Sequence, residues 1–228
     1  MIRRLLYRLG WLGILAGICL LGGARADAQP VWKQQGCDAC HRFSPEAPAD
    51  RRKAPDLFFA GNKFQRDWLE SWLQNPVPLR PAGYVTDPGF LKGRPTVGVP
   101  HPRVDAGTAR LLTEELMRLT LPDWKAGVAR TEPLSKGERF QAKRLFERDY
   151  GCIACHKSVN LVGAPRGGVS GPSLLNAGRR YQADWLVHWL NTPRRFEPRG
   201  RMPVFVLPEE DLQLLVRYIM EHRRETPP

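Results

Sequence analysis

The sequence predicts an all-α chain of two similar halves in tandem, and three observations carry that prediction. The run Phe64-Gln65-Arg66-Asp67-Trp68-Leu69-Glu70-Ser71-Trp72-Leu73-Gln74-Asn75-Pro76 returns as Tyr181-Gln182-Ala183-Asp184-Trp185-Leu186-Val187-His188-Trp189-Leu190-Asn191-Thr192-Pro193, an internal repeat. In each copy a Trp pair and a Leu pair recur at i, i+4 (Trp68/Trp72 and Leu69/Leu73; Trp185/Trp189 and Leu186/Leu190), which is one buried helical face ended by a proline. No run alternates apolar and polar residues well enough to predict a sheet.

Taken in order, residues 1–8 carry three arginines, residues 9–23 are apolar, and Ala24-Arg25-Ala26 offers small residues for cleavage. This is the pattern of a secretory signal over residues 1–26, with Ala26-Asp27-Ala28 as a second cleavage point, and it predicts a periplasmic protein. A short uncleaved anchor is the alternative; the apolar run falls short of the ~20 residues of a membrane span. The first domain is expected over 27–122, with an extended loop at 77–100. Val31 and Trp32 allow only a short opening helix, and Leu111, Leu112, Leu116 and Leu119 form a closing helix before Pro122. A linker follows over 123–133, and the second domain over 134–228. There Ser135 and Glu138 predict a capping box. Phe140, Leu145 and Phe146 give the opening helix its apolar positions, and Leu212, Leu215, Val216 and Ile219 form a closing helix after the acidic start Glu209-Glu210.

The 228 residues carry 35 basic and 23 acidic side chains, a formal +12. Removal of Arg3, Arg4, Arg8 and Arg25 with the leader leaves +8. Aliphatic and aromatic residues are too plentiful for a disordered chain, and no Gly repeat suggests collagen. Nucleic acid does not explain the charge, because the chain is read as exported and no basic stripe is interleaved with stacking aromatics. The positive balance suits acidic-faced protein partners.

Cys19 lies in the leader. The other four cysteines form Cys37-Asp38-Ala39-Cys40-His41 and Cys152-Ile153-Ala154-Cys155-His156. Two C-x-x-C-H runs in an exported chain predict two covalently attached haem c groups. Each pair of sulfurs takes the two vinyl groups, and the adjacent histidine lies under the iron. A zinc ribbon would want its pairs ~15–20 residues apart, whereas residues 41–151 separate these. No βαβ pattern supports a thioredoxin-like pair, and simple disulfides leave His41 and His156 without a role.

These residues resemble class I c-type cytochromes, here as two cytochrome-c-like domains in tandem, each wrapped around one haem. The resemblance spans about residues 30–122 and 134–224. It rests on the two haem motifs, Ala54-Pro55-Asp56-Leu57 and Gly171-Pro172-Ser173-Leu174, Gly178-Arg179-Arg180, the tryptophan helices, Arg201-Met202-Pro203-Val204-Phe205 and the closing helix. It implies that His156 is the proximal and Met202 the distal ligand of the second haem. It also implies that the Pro172 carbonyl steers the His156 ring, with Pro55 in the corresponding place, and that Arg180 lies near a propionate. The first half departs from the pattern. Counted from the prolines, Val85 stands where Met202 stands, and it cannot bind iron. Counted back from the closing helix, His101-Pro102 precedes Leu111 as Met202-Pro203 precedes Leu212. The first haem is therefore expected between His41 and His101, with Met117 and Tyr84 as alternatives.

Two filled axial positions predict single-electron transfer between redox partner proteins and no small-molecule substrate. Membrane contact is expected only through a partner or an uncleaved leader. The alternatives are a small two-haem peroxidase or oxyanion reductase with a displaceable ligand at the first haem, and a fixed subunit of a larger oxidoreductase. Arg194, Arg195, Arg199 and Arg201 are expected to rim the second haem, whereas His188, Met220 and His222 suit surface or packing positions.

Overall fold

The computed structural model describes residues 29–49, 52–84, 89, 100–160 and 162–225. The expected leader and Val85 lie outside the described residues. Helices dominate: α1 (Val31–Gln34), α2 (Ala60–Lys63), α3 (Arg66–Gln74), α4 (Ala106–Met117), α5 (Lys136–Arg144), α6 (Ala177–Arg180), α7 (Ala183–Asn191), α8 (Pro193–Phe196) and α9 (Glu209–Met220). Among the described residues none is long and apolar enough to cross a membrane.

Local chemistry sets the helix ends. Asp105 caps α4 by accepting from the Thr108 N–H at 3.0 Å. Ser135 and Glu138 form the reciprocal capping box at the start of α5. Glu209, Glu210 and Asp211 occupy the first turn of α9, where the helix dipole favours negative charge. Helix α1 is too short to hold itself, and the Glu115 carboxylate of α4 accepts from its first two N–H groups, Val31 at 2.8 Å and Trp32 at 3.1 Å.

The halves share one plan. The opening helix of each packs on its closing helix, α1 on α4 and α5 on α9, and the tryptophan helix lies across the same partner, α3 on α4 and α7 on α9. Glycine permits one close approach in each. The Gly61 N–H donates to the Leu119 carbonyl and that of Gly178 to the His222 carbonyl, both at 2.9 Å. A Cβ would stand 2.3 Å from the Met117 carbonyl oxygen at Gly61, and 1.8 Å from that of Met220 at Gly178. Neither position admits any side chain without moving a helix.

A two-stranded antiparallel hairpin, β1 (Lys157–Val159) with β2 (Pro165–Gly167), follows His156. The sequence does not predict it, because three-residue strands are too short for alternation to register. The 123–133 segment is stapled to the second half. Asp184 accepts from the backbone N–H groups of Gly127, Val128 and Ala129, Gln213 bonds to Arg130 and Val128, and the Arg217 guanidinium donates to the Glu132 and Pro133 carbonyls.

The halves meet along a seam of equivalent residues. Phe64 and Tyr181 form an antiparallel bridge. The Gln65 side chain donates to the Gly178 and Tyr181 carbonyls, and the Gln182 side chain donates to those of Gly61 and Phe64. The Gln65 N–H reaches the Arg180 carbonyl at 2.9 Å, and the Gln182 N–H reaches that of Lys63 at 3.0 Å. Apolar packing runs straight across: Phe59 stacks on Trp185 at 5.0 Å and meets Phe196 edge-on at 5.6 Å.

Gly178→Ala should destabilise the chain by about 1–3 kcal/mol, the usual range for overpacking, read as a lower denaturation midpoint. A second expectation concerns His222, 6 % exposed and hydrogen-bonded to Ser158. Burial, aided by Lys143 and opposed by Glu221, holds its imidazolium pKa down at about 4. The unfolded chain takes up this proton near the ordinary value of about 6.5. The contribution to stability is therefore complete above that pH and lost as pH falls towards 4. His222→Gln should flatten the pH dependence of the unfolding free energy in that window; an unchanged slope would contradict the assignment.

Candidate cofactor sites

Both C-x-x-C-H runs adopt the same local fold. A glycine in the left-handed region, Gly36 (φ 67°) or Gly151 (φ 62°), precedes a single tight turn, Cys37–Ala39 or Cys152–Ala154. The histidine N–H then closes onto the first cysteine's carbonyl at 3.0 Å in each half. One turn thus presents two sulfurs and an imidazole together. None of Cys37, Cys40, Cys152 and Cys155 is joined in a disulfide. Burial raises the Cys37 thiol above its ordinary value and pushes Cys152 up to about 11, so neither is a reactive thiolate at neutral pH.

The histidines are prepared in the same way. His41 Nδ1 lies 2.6 Å from the Pro55 carbonyl oxygen and His156 Nδ1 lies 2.8 Å from that of Pro172. A carbonyl can only accept, so Nδ1 carries the proton and the lone pair of the neutral ring sits on Nε2. Burial lowers both imidazolium pKa values, that of His41 to about 4. Each ring is therefore a neutral, oriented ligand with Nε2 available for a metal. Gly171 closes the back of the second site, where a Cβ would fall 2.5 Å from the His156 ring.

The structure brings His101 to His41, with ring centroids 6.2 Å apart and planes inclined at 59°. Two imidazoles holding one metal from opposite sides at about 2 Å each would stand about 6 Å apart by centroid. His101 Nδ1 donates to the Pro102 carbonyl at 2.9 Å, which again leaves Nε2 free, and its ring rests on Trp72 at 4.5 Å. In the second half the equivalent Trp189 donates its indole N–H to Met202 Sδ at 3.0 Å. The same tryptophan position thus supports His101 in one half and Met202 in the other. Met117 is the last residue of α4, and the Tyr84 hydroxyl donates to Glu197.

Arg180 is fully buried, with Nη1 on Asn176 at 2.9 Å and Nη2 on the Ser173 carbonyl at 2.6 Å. Its guanidinium lies 4.4 Å from the Tyr181 ring and 5.9 Å from the Trp68 ring of the other half. Lys63, its counterpart in the repeat, crosses the seam the other way, its ammonium 5.3 Å from the Trp185 ring and 5.0 Å from Phe64. Burial lowers the Lys63 pKa. Among the described residues, Arg180 Nε and Trp68 Nε1 are buried donors without a protein acceptor. Such donors ask for an anion. Sequence reasoning reads Trp68 only as part of a buried helical face and does not single out Lys63, although aligning Ala60-Gly61-Asn62-Lys63-Phe64 with Ala177-Gly178-Arg179-Arg180-Tyr181 places Lys63 opposite Arg180.

Arg194, Arg195, Arg199 and Arg201 are exposed on the segment before Met202. Arg195 pairs with Asp123, and Arg194 and Arg199 donate to the carbonyls of Pro198 and Ala49. His188 bonds to the Lys125 carbonyl at 2.8 Å beside Trp124. Among the described residues no group of three or more His, Cys, Asp or Glu could hold a bare metal ion. His41 and His101 come instead as one facing pair of imidazoles, while His156 rests on the Pro172 carbonyl and Met202 on the Trp189 indole. No family model, no curated protein and no solved structure matches the chain.

Proposed function

We propose that the chain is a two-haem c-type cytochrome that carries single electrons between proteins outside the cytoplasm. The observation that supports this best is the pairing of His41 with His101. Both are neutral imidazoles with the proton fixed on Nδ1, at a separation suited to one metal between them. Cys37 and Cys40 would tether the first haem and Cys152 and Cys155 the second. His41 and His101 would hold the first iron, and His156 and Met202 the second. When bound, each haem supplies an iron that gains or loses one electron without making or breaking a bond.

The chain's own residues do the rest. The Pro55 and Pro172 carbonyls fix the proximal rings, and Trp72 and Trp189 brace the distal side chains. Lys63, Arg180 and Trp68 offer cationic and N–H groups to acidic edges of the macrocycles at the seam. Two firmly held ligands leave no open position for a substrate, which favours a carrier over an enzyme. The exposed arginines before Met202 suit an acidic partner.

The isolated protein should contain two covalent haems per chain by alkaline pyridine spectra, and one or none would overturn the proposal. Methionine ligation raises the potential of a c-type haem relative to histidine, so a redox titration should resolve a lower-potential first site. The oxidised protein should show the sulfur-to-iron band of one haem. Met202→Ala should abolish that band, and His101→Ala should spare it while producing a high-spin first haem. Electron transfer to an acidic partner should slow as salt rises past physiological strength, where screening acts over ~8 Å. Substitution of Arg194 and Arg195 by glutamine should remove most of that dependence.

A further inference from the structure

The segment that carries Met202 is gripped by the other half of the molecule. Glu197 stands at the end of α8, closes a turn by accepting from the Gly200 N–H at 2.9 Å, and leads directly into Met202. Its carboxylate is paired with Arg52 of the first half and accepts a hydrogen bond from the Tyr84 hydroxyl of the same half. Arg52 is held in turn by Asp56 at 2.9 Å, and Asp56 also takes Arg42 at 2.6 Å. The side chains of Arg52 and Asp56 are 2 % and 1 % exposed. Two further contacts cross at the same place, Arg199 to the Ala49 carbonyl at 3.1 Å and Phe196 against Phe59. Asp56 follows Pro55, whose carbonyl orients His41. A chain of direct contacts therefore runs from the proximal histidine of the first site to the distal segment of the second.

We infer that Arg52 and Tyr84 of the first half are positioning residues for the Met202 ligand of the second, so that the second site is complete only when the first half is docked on it. The inference rests on the two-haem reading. Its physical basis is the cost of a stranded buried charge. Removing one partner of a buried pair leaves the other uncompensated, which is far worse than removing both. Without Arg52, Asp56 keeps Arg42, but Glu197, 9 % exposed, loses its paired guanidinium and keeps the Tyr84 hydroxyl with the more distant fields of Arg42, Lys63 and Arg80. The remedy open to Glu197 is to move towards water, and that movement carries the Met202 segment away from the site. Burial and the Glu197 carboxylate push the Tyr84 hydroxyl well above its ordinary pKa, so it stays a donor throughout the working range.

The test uses the full chain with both haems attached and reads the second site with cyanide, which must displace Met202 from the oxidised iron. Apparent affinity for such a ligand scales with the fraction of molecules in the open state. Arg52→Gln should therefore raise cyanide affinity at the second site about tenfold or more and weaken the sulfur-to-iron band. Tyr84→Phe strands no charge and should raise affinity by about threefold, the worth of one hydrogen bond. Arg52→Lys should restore the band in part. The double variant Arg52→Gln/Glu197→Gln should return affinity and the sulfur-to-iron band towards those of the unsubstituted chain, because no charge is left stranded. Cyanide affinity within about twofold of the unsubstituted chain in both Arg52→Gln and Tyr84→Phe would overturn the inference. If Arg52→Gln does not accumulate, Tyr84→Phe alone decides. Absence of the band before any substitution would overturn the Met202 ligation that the inference needs, whereas fewer than two covalent haems would overturn the two-haem reading itself.

Discussion

The molecule depends on a seam in which two equivalent glutamines exchange the same favour. Gln65 and Gln182 each place a carboxamide against backbone carbonyls of the opposite half that would otherwise be buried without donors. Because the short helices α2 and α6 end there, the seam also satisfies helix C-termini that have no partners of their own. The positions of Lys63, Arg180, Trp68 and Trp185 follow from it, since each cation projects from the last turn of a short helix onto an aromatic ring across the boundary. The hydrophobic core is one cluster that ignores the boundary altogether.

Within this near-symmetric frame, chemistry differs where His101 and Met202 sit. One tryptophan position serves both, yet Trp72 spends its indole N–H on the Val77 carbonyl and offers His101 only a ring face, whereas Trp189 directs its N–H at the Met202 sulfur. A flat imidazole can lean on a flat ring and find its hydrogen bond in its own backbone, at Pro102. A thioether has no donor and a soft, weak acceptor, and is held best by an N–H aimed at it. The same scaffold thereby accommodates two side chains of different shape without changing its helices.

Much of this was legible in the sequence because its signals are local. The C-x-x-C-H runs, the Ser135–Glu138 capping box and the tryptophan helices all state their geometry within a few residues. The place of His101 could be read by counting back from Leu111, since the closing helices share a register. The seam was not legible, because Gln65 and Gln182 look like ordinary helix-start residues and their partners are carbonyls, which carry no side-chain signature. Nor was the Arg52–Glu197 pair, whose members stand 145 residues apart and sit in segments with no periodicity. The hairpin after His156 was hidden by its brevity. Arg180 is legible only through the resemblance, and Lys63 is not legible at all, because a lysine near a helix end reads as solvated whereas four rings surround this one.

The reciprocity of the seam has a consequence for ancestry and assembly. Contacts in which residue i of one half meets residue j of the other, and j meets i, are the isologous kind that two identical subunits make about a two-fold axis. Nothing in the paired glutamines or the Phe64–Tyr181 bridge requires the covalent connection that runs through residues 123–133. A half-length chain carrying a glutamine and an aromatic residue at these positions has the complementarity to form the same seam with a second copy of itself. Duplication of such a gene would inherit a finished interface, and the fused copies would then be free to diverge one side chain at a time.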